Sequence, residues 1–495
     1  MSNLSELLPS GGGAKSATFV ASGTLPNGKA VVLKDNGQVE LVAETTTTDG
    51  IGTETLITSG TVNTKWCSVA YDSDNSKIVV AFRDGANSSH GTALVGTISG
   101  NSISFGTAVV FNAGTTAQTD ITYDTGNNKF LICYQDESNS NQGAAIVGSV
   151  SGTSISFGTE AVFDSGSESS RMRACYDVAS GTTVITYADR NNSYYGTAIV
   201  ATISGTSVTF GTQTVYASYN GSMAAIVYDA SASKVLIASS SSGAAGAAIV
   251  GTVSGTTISF GTAITYSTSN DSYYFSAAYD ANAQKTLIVY DANISGVRRG
   301  ACVVATVSGT SVTVGTEVLY SNFNTSNSNA GVSYDSDAKK ITIFFKETST
   351  PQYNALVGTI SGTSVTFGTP VALTLNGDLS TETGFVAAYD PTAGKTALIY
   401  ATKTATTGLY YGVWTTGYTA TNLTATNFVG ITDQAIASGA SGSVVVQGGV
   451  GAGQTSLTIG STYYVQEDGT ISTVSTSPAV NIGKALSATT ILLKG

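Results

Sequence analysis

Short apolar runs alternate with polar, glycine-containing turns along most of the chain, and they recur in sets of four. One set reads CSVAYD, the turn SDNS, KIVVAFRD, the polar loop GANSSH, GTALVGTI, the turn SGNS and ISFGTAVVF, covering residues 67–111. These runs are too short for helices, are rich in Val, Ile, Thr, Tyr and Phe, and are bounded by turn residues, so each predicts a β-strand. The glycine of the SGNS turn supplies the positive φ that a tight hairpin needs.

The set repeats. The string GTALVGTISGNSISFGTAVVF begins at Gly91, and near-copies begin at Gly143, Gly196, Gly246, Gly300 and, without the first glycine, Asn354. A Tyr-Asp pair closes the first strand of each set at Tyr71, Tyr123, Tyr176, Tyr228, Tyr279, Tyr334 and Tyr389, a period of 51–55 residues. Four antiparallel strands at this period predict the blade of a β-propeller; parallel β-helices have shorter coils. Seven Tyr-Asp sets are followed by only six complete fourth strands. The missing one is at the other end, where IGTETLITSG (51–60) aligns with FGTEAVFDSG (157–166). A seven-bladed ring over residues 51–417, closed by an N-terminal strand, is therefore expected.

With the strands lettered a to d from the centre outward, the short a–b and c–d turns share one face. The variable b–c loops (GANSSH, ESNSNQ, RNNSYY, NISGVRR and TSTPQY) share the other with the d–a crossings. The chain enters and leaves on the short-turn face, so the ring should be held from that side.

Composition narrows the chemistry. The 495 residues include 56 Gly and 25 Tyr but only 3 Met, 6 Pro and 1 His, and 11% are charged, where about 25% is usual. That favours an all-β chain. A net charge of −11 gives no footprint for nucleic acid or an anionic membrane. No apolar run reaches the roughly 18 residues of a membrane span. The start MSNLSELLPSGGGAKS has no signal-peptide pattern, so use without Sec export is expected. Cys67, Cys133, Cys175 and Cys302 replace small or apolar residues of sibling copies and read as buried free thiols.

Outside the repeat, 25–42 (LPNGKAVVLKDNGQVELV) and 457–474 (LTIGSTYYVQEDGTISTV) match each other, Gly28 on Gly460 and Gly37 on Gly469. Each reads strand, hairpin, strand, with Asn36-Gly37 and Asp468-Gly469 as type I′ turns. Residues 17–50 and 418–495 should pair into one small β-barrel or sandwich module that carries the propeller as an insertion. Residues 1–16 read as a flexible arm.

FVASGTLPNGKAVVLKDNGQVELV, FVGITDQAIASGASGSVVVQGGV (428–450) and the closing stretch to IGKALSATTILLKG resemble the capsid-decorating β-module family of tailed bacteriophages. The repeats are similar to propeller segments of such phage proteins. The family's pattern is continuous, whereas here it is split by the propeller. The resemblance implies a structural virion surface protein, a head decoration or appendage, assembled in the host cytoplasm. It implies major capsid or tail proteins as partners and suggests a homotrimer. A tail fibre or receptor-binding protein is the alternative, followed by a polysaccharide depolymerase; a bacterial adhesin is disfavoured by the lack of an export signal.

No catalytic residue, metal site or cofactor is assigned. Sialidase-type boxes are absent. The Asp of Tyr-Asp precedes a tight turn and should accept backbone N–H bonds. The carboxylates ending strands b (Asp84, Asp136, Asp189 and Glu347) become Ser241, Ala292 and Thr402 in the other copies, so none forms a singled-out pair. Oxygen-rich loops such as SDNSK lack calcium-loop spacing.

The position just before strand c does vary: His90, Gln142, Tyr195, Ala245, Arg299, Tyr353 and Tyr411. With Tyr194, Tyr219, Tyr273, Tyr274, Phe275, Arg298, Phe323 and Tyr410 nearby, these are the candidate contacts for a host glycan or a protein partner, since aromatic faces beside polar groups suit sugar stacking.

Overall fold

The computed structural model describes residues 15–494 apart from 60–63, 166–168, 221–223, 242–243, 268, 270, 325–329, 348–351, 380–383, 403–407 and 477; at 59, 220 and 322–324 it describes the backbone alone. Among the described residues the chain is all β apart from one 3-10 turn, Arg190–Asn192. It divides into two compact units, one formed by the described residues up to Thr48 with those from Gly417 onward, the other by Asp49–Thr416.

The first unit draws one sheet from both ends of the chain, in the order Ser16–Val20, Ser441–Val445, Phe428–Thr432, Ala30–Leu33, Val39–Leu41. Its second sheet runs Val450–Gly451, Ile491–Leu493, Val480–Ala485, Thr462–Val465, Ile471–Ser472. One core joins Val32, Ile431 and Val445 of the first to Val465, Ile482 and Ile491 of the second. Residues 1–14 of the expected arm lie outside the described residues. Its last two residues belong to the sheet: Ser16 opens the first strand, and the Lys15 carbonyl accepts from Val446 N–H. The Asn36-Gly37 and Asp468-Gly469 hairpins are not type I′, which needs positive φ at both residues. Only Gly37 (φ +81) and Gly469 (φ +80) have it. In each, N–H of the glycine bonds back three residues (Gly37 to Lys34, Gly469 to Gln466), which makes a three-residue loop with a glycine bulge.

The second unit contains one nine-stranded and five five-stranded sheets among the described residues. The nine-stranded sheet spans two repeats, because Val109–Asp124 runs from the outer strand of the first into the inner strand of the second. Within each repeat a, b and c pair antiparallel, as in Lys65–Asp72, Lys77–Asp84 and His90–Ser99. Strand d comes in two pieces: Ser102–Phe105 pairs with the end of strand c and Val109 onward with its beginning. In the last repeat both pieces come from the N-terminal side, Gly50–Ile51 and Thr55–Ser59, on Gly408–Thr415.

The break in strand d falls on the glycine of the repeated Gly-Thr. A Cβ on Gly106 would overlap the carbonyl oxygen of Thr153, in the next repeat's c–d turn. Gly158, Gly211, Gly261 and Gly315 meet Thr206, Thr256, Thr310 and Thr363 in the same way. Gly52 of the last repeat meets Asn101 of the first. The inner strands also pack each against the next, and Phe385–Asp390 against Lys65–Asp72.

The Tyr-Asp signature serves the same contacts. The Asp carboxylate caps its own a–b turn, as when Asp280 accepts from Asn282 N–H (2.9 Å) and Ala283 N–H (2.8 Å). The Tyr hydroxyl reaches the preceding repeat's turn: Tyr123 donates to Asp74 (2.6 Å), and Tyr334 accepts from Asn282 N–H (3.2 Å). Tyr71 of the first repeat bonds Thr392 of the last (2.9 Å).

Candidate functional site

Each inner strand begins beside the b–c loop of its own repeat, and in four repeats it is bulged there. Pairing with strand b slips between Lys65 and Ser68, Ala117 and Asp120, Ser170 and Arg173, and Tyr273 and Ser276. The first extra residue is left-handed every time: Trp66 (φ +50), Gln118 (φ +54), Arg171 (φ +56) and Tyr274 (φ +58). All four stand six residues before the Asp of Tyr-Asp, and the seventh copy has Gly384 there (φ +65). The matching Met223 and Asn329 lie outside the described residues. The next residue of the bulge is turned inward: Cys67, Met172 and Phe275 are buried. A bulge re-aims side chains without lengthening a loop. A left-handed non-glycine residue costs on the order of 1 kcal/mol or more, and such residues concentrate at functional sites.

Cations stack on rings at this end. Lys65 Nζ stands 4.2 Å and the Arg83 guanidinium 5.2 Å from the Trp66 ring. Arg298 lies 4.8 Å from the ring of Tyr273, and Arg190 lies 5.9 Å from that of Tyr194. Arg83 pairs with Glu137 (3.2 Å) and Arg298 with Asp271 (3.0 Å), which also accepts from Asn293 Nδ2 (3.1 Å). These ties fix the cations in place. Burial raises the Tyr274 phenol above the usual tyrosine range, with nearby Asp291 adding to it and Arg298 and Arg171 opposing. Tyr219 is also raised by burial and packs half-buried against the core between the third and fourth repeats.

The position before strand c needs correcting in two repeats. Register on strand b puts His90 opposite Asp84, Gln142 opposite Asp136, Tyr195 opposite Asp189 and Arg299 opposite Ala292. The equivalent in the sixth repeat is Gln352, opposite Glu347, not Tyr353. In the seventh, the carbonyl of Gly408 accepts from Thr402 N–H, and Tyr411 lies opposite Ile399, deep in the strand. A one-residue slip turns a side chain to the other face. Tyr353, Tyr410 and Tyr411 are accordingly 7%, 7% and 4% exposed. Tyr353 supports a loop by accepting from Leu379 N–H (3.2 Å), Tyr410 stacks on Tyr400, and Tyr411 packs edge-on to Phe105. None of the three presents a ring to a ligand. His90, Gln142, Tyr194, Tyr195, Tyr273, Tyr274, Arg298 and Arg299 are half-buried at the b–c end. The side chain of Phe323 lies outside the described residues.

Trp66, Gln118 and Arg171 went unrecognised in the sequence, although their fixed distance from Tyr-Asp was there to find. The strand-end carboxylates cap their own loops: Asp84 accepts from Ala86 N–H (3.0 Å), Asp136 from Ser138 N–H (3.0 Å) and Asp189 from Asn192 N–H (3.3 Å).

No family model and no curated protein matches the chain. Among solved structures it is similar to the BP39L lectin of Burkholderia pseudomallei, at 9% identity and a TM-score of 0.52, over 73% of this chain and 97% of that one. It also matches the six-bladed fucose-recognising lectin of Aleuria aurantia (11% identity, TM-score 0.39, 63% and 97% covered). AofleA of Arthrobotrys oligospora matches at 9% identity and a TM-score of 0.41, with 85% and 97% covered. The Burkholderia lectin lends no support to the likeness of the flanking segments to capsid-decorating modules. At such low identity the first of these likenesses shows the fold alone, and that fold is a β-propeller.

Proposed function

We propose that the protein is a non-enzymatic, carbohydrate-binding propeller of seven blades, whose ligand surface is the end where the b–c loops meet the inner-strand bulges. The observation that carries this reading is the set of rings held there with cations stacked on them: Trp66 with Lys65 and Arg83, Tyr273 with Arg298, and Tyr194 with Arg190. An aromatic face offers a sugar's C–H surface an apolar platform, and the guanidinium and amide groups beside it can bond the hydroxyls. That the Burkholderia propeller is a lectin supports the same reading. Seven blades is the count favoured by the inner-strand ring and by the Tyr71–Thr392 bond.

The split β-module is read as the attachment half, and a tailed-phage particle as the setting, with capsid or tail proteins as its partners. Only the resemblance of the flanking segments supports this part.

The test is a glycan array probed with the intact chain and with the double variant Trp66→Ala, Tyr273→Ala. Retention on a subset of glycans, lost in a variant of unchanged melting temperature, is expected. Retention on no glycan would overturn the reading.

A further inference from the structure

The second sheet of the split module leaves a hole in its outer face. Val450, Leu492, Lys484 and Thr462 stand side by side in one row of its ladder, on four successive strands. Val450 and Leu492 are 43% and 40% exposed. Beside that row the pairing slips between Tyr463 and Tyr464, opposite Gly483. Gly483 has φ +144, and a Cβ on it would overlap the Leu492 carbonyl oxygen. With no side chain there, a cavity of about 350 Å³ opens, lined by Thr462, Asn481, Gly483, Lys484, Leu492 and Lys494. Ligand pockets start at roughly this size.

The groups around the cavity lack partners. Asn481 Oδ1 is buried and accepts no hydrogen bond among the described residues, and a buried acceptor without a donor is costly. Lys484 and Lys494 are exposed at its rim. A fitting occupant therefore brings apolar side chains, one carboxylate and an N–H donor.

The chain carries such a segment within reach. Residues 1–14 hold a single charged side chain, Glu6, set among Leu4, Leu7 and Leu8. The described chain starts at Lys15, whose carbonyl accepts from Val446 N–H (3.1 Å). A Cβ on Gly449 would stand 2.4 Å from that carbonyl oxygen, so the arm leaves one residue from Val450, on the edge strand of this sheet. Across the ladder, Leu492, Lys484 and Thr462 lie about 5, 10 and 14 Å from the edge strand. Six residues, Pro9 to Ala14, separate Leu8 from Lys15, and extended they span about 20 Å. In a chain of net charge −11, two lysines beside a cavity are a local attraction for one carboxylate.

We propose that residues 4–8 dock in this cavity of their own chain. The leucines cover Leu492 and Val450, the Glu6 carboxylate meets Lys484 and Lys494, and a main-chain N–H donates to Asn481 Oδ1. Docked there, the arm closes the apolar row that the sheet leaves open.

Zero-length coupling of the intact chain with a water-soluble carbodiimide tests it, because only a carboxyl and an amine in contact are joined. Peptide mass spectrometry should find Glu6 joined to Lys484 or Lys494 about fivefold or more above Lys29 and Lys34, since an undocked tether shows no such preference. In an equal mixture of light- and heavy-isotope chains, each joined pair should come from one chain. Leu7→Ser with Leu8→Ser keeps Glu6 and the tether, and should cut the yield about tenfold or more by removing the apolar contact. Joining spread evenly over these lysines, a yield unchanged by the two serines, or no link to Lys484 or Lys494 overturns the docking. Joined pairs of mixed isotope overturn docking within one chain.

Discussion

The Tyr400 phenol donates a 2.6 Å hydrogen bond to the Glu54 carboxylate, joining strand b of the last repeat to an outer strand 346 residues earlier in the chain. The other carboxylate oxygen accepts from Asn376 N–H (2.9 Å) and Nδ2 (3.2 Å). The same pair recurs inside continuous repeats, as Tyr134 with Glu160 and Tyr290 with Glu317 (2.9 Å). Where strand b has Phe82, Ser239 or Phe345 instead of Tyr, strand d has Ala108, Ala263 or Pro370 instead of Glu. The N-terminal strand thus takes the place of a local d strand down to its side-chain bond.

Tyr400→Phe should cost about 1–2 kcal/mol, because it leaves a partly buried carboxylate oxygen without its donor. Burial, outweighing the bonds from Tyr400 and Asn376, holds Glu54 above the usual carboxylate range. A folded-state pKa above the unfolded one contributes stability that is fully present below the unfolded value and is lost as pH rises through the folded one. Wild type should therefore gain denaturant stability relative to Glu54→Gln when pH falls from 7 towards 5. Parallel profiles for the two proteins would contradict the assignment.

The glycines in the broken d strands should respond unequally to alanine. At Gly106, Gly158, Gly211, Gly261 and Gly315 a Cβ overlaps a backbone carbonyl of the next repeat's turn. Each substitution should cost about 2 kcal/mol or more, since backbone on both sides must move. Gly368 has no such neighbour, because the last repeat has no c–d hairpin; its nearest atom is the Val357 oxygen at 3.8 Å. Gly368→Ala should change stability by roughly 0.5 kcal/mol or less. Thermal melts of the six variants would check this, and equal losses would contradict the ring of contacts.

The left-handed bulge residues should show stability traded for position. Gln118→Gly relieves a positive φ that costs a non-glycine residue about 1 kcal/mol or more, against roughly 0.5–1 kcal/mol of added unfolded-state freedom. The variant should be as stable as wild type or slightly more so, whereas glycine at an ordinary strand position destabilises. Chemical denaturation measures the difference directly, and a loss above about 1 kcal/mol would contradict the bulge geometry.

Burial pushes the Cys302 thiol up to about 12 and raises Cys67 and Cys133 as well. At pH 8 they carry almost no thiolate in the folded chain. A thiol-reactive chromophore should label Cys67, Cys133 and Cys302 only after denaturant is added. Rapid labelling of any of them in the native protein would contradict their burial.

The all-β character and the propeller were legible because strand, turn and period are all local signals, repeated often enough to average out noise. The turn role of Asp in Tyr-Asp was legible for the same reason. The partner of Tyr was not, because it lies one repeat back in space. The bulges were hidden because left-handed backbone carries no residue signature here; Trp, Gln, Arg, Tyr and Gly all occupy it. The placing of Tyr353 and Tyr411 in the ligand set failed on alignment. A copy that lacks the leading glycine of GTALVGTI offers no anchor for register, and only pairing with strand b shows Gln352 and Gly408 at that position.

Sugar bound by this protein should sit at the bulged ends of the inner strands. Hydrogen exchange of the intact chain, with and without a glycan retained on the array, tests it most directly. Slowed exchange is expected in 65–67, 117–119, 170–172 and 273–275 and in the adjoining b–c loops, with the a–b turns and residues 417–494 unchanged. Protection confined to the a–b turns or to 417–494, or no protection anywhere at saturating glycan, would contradict it.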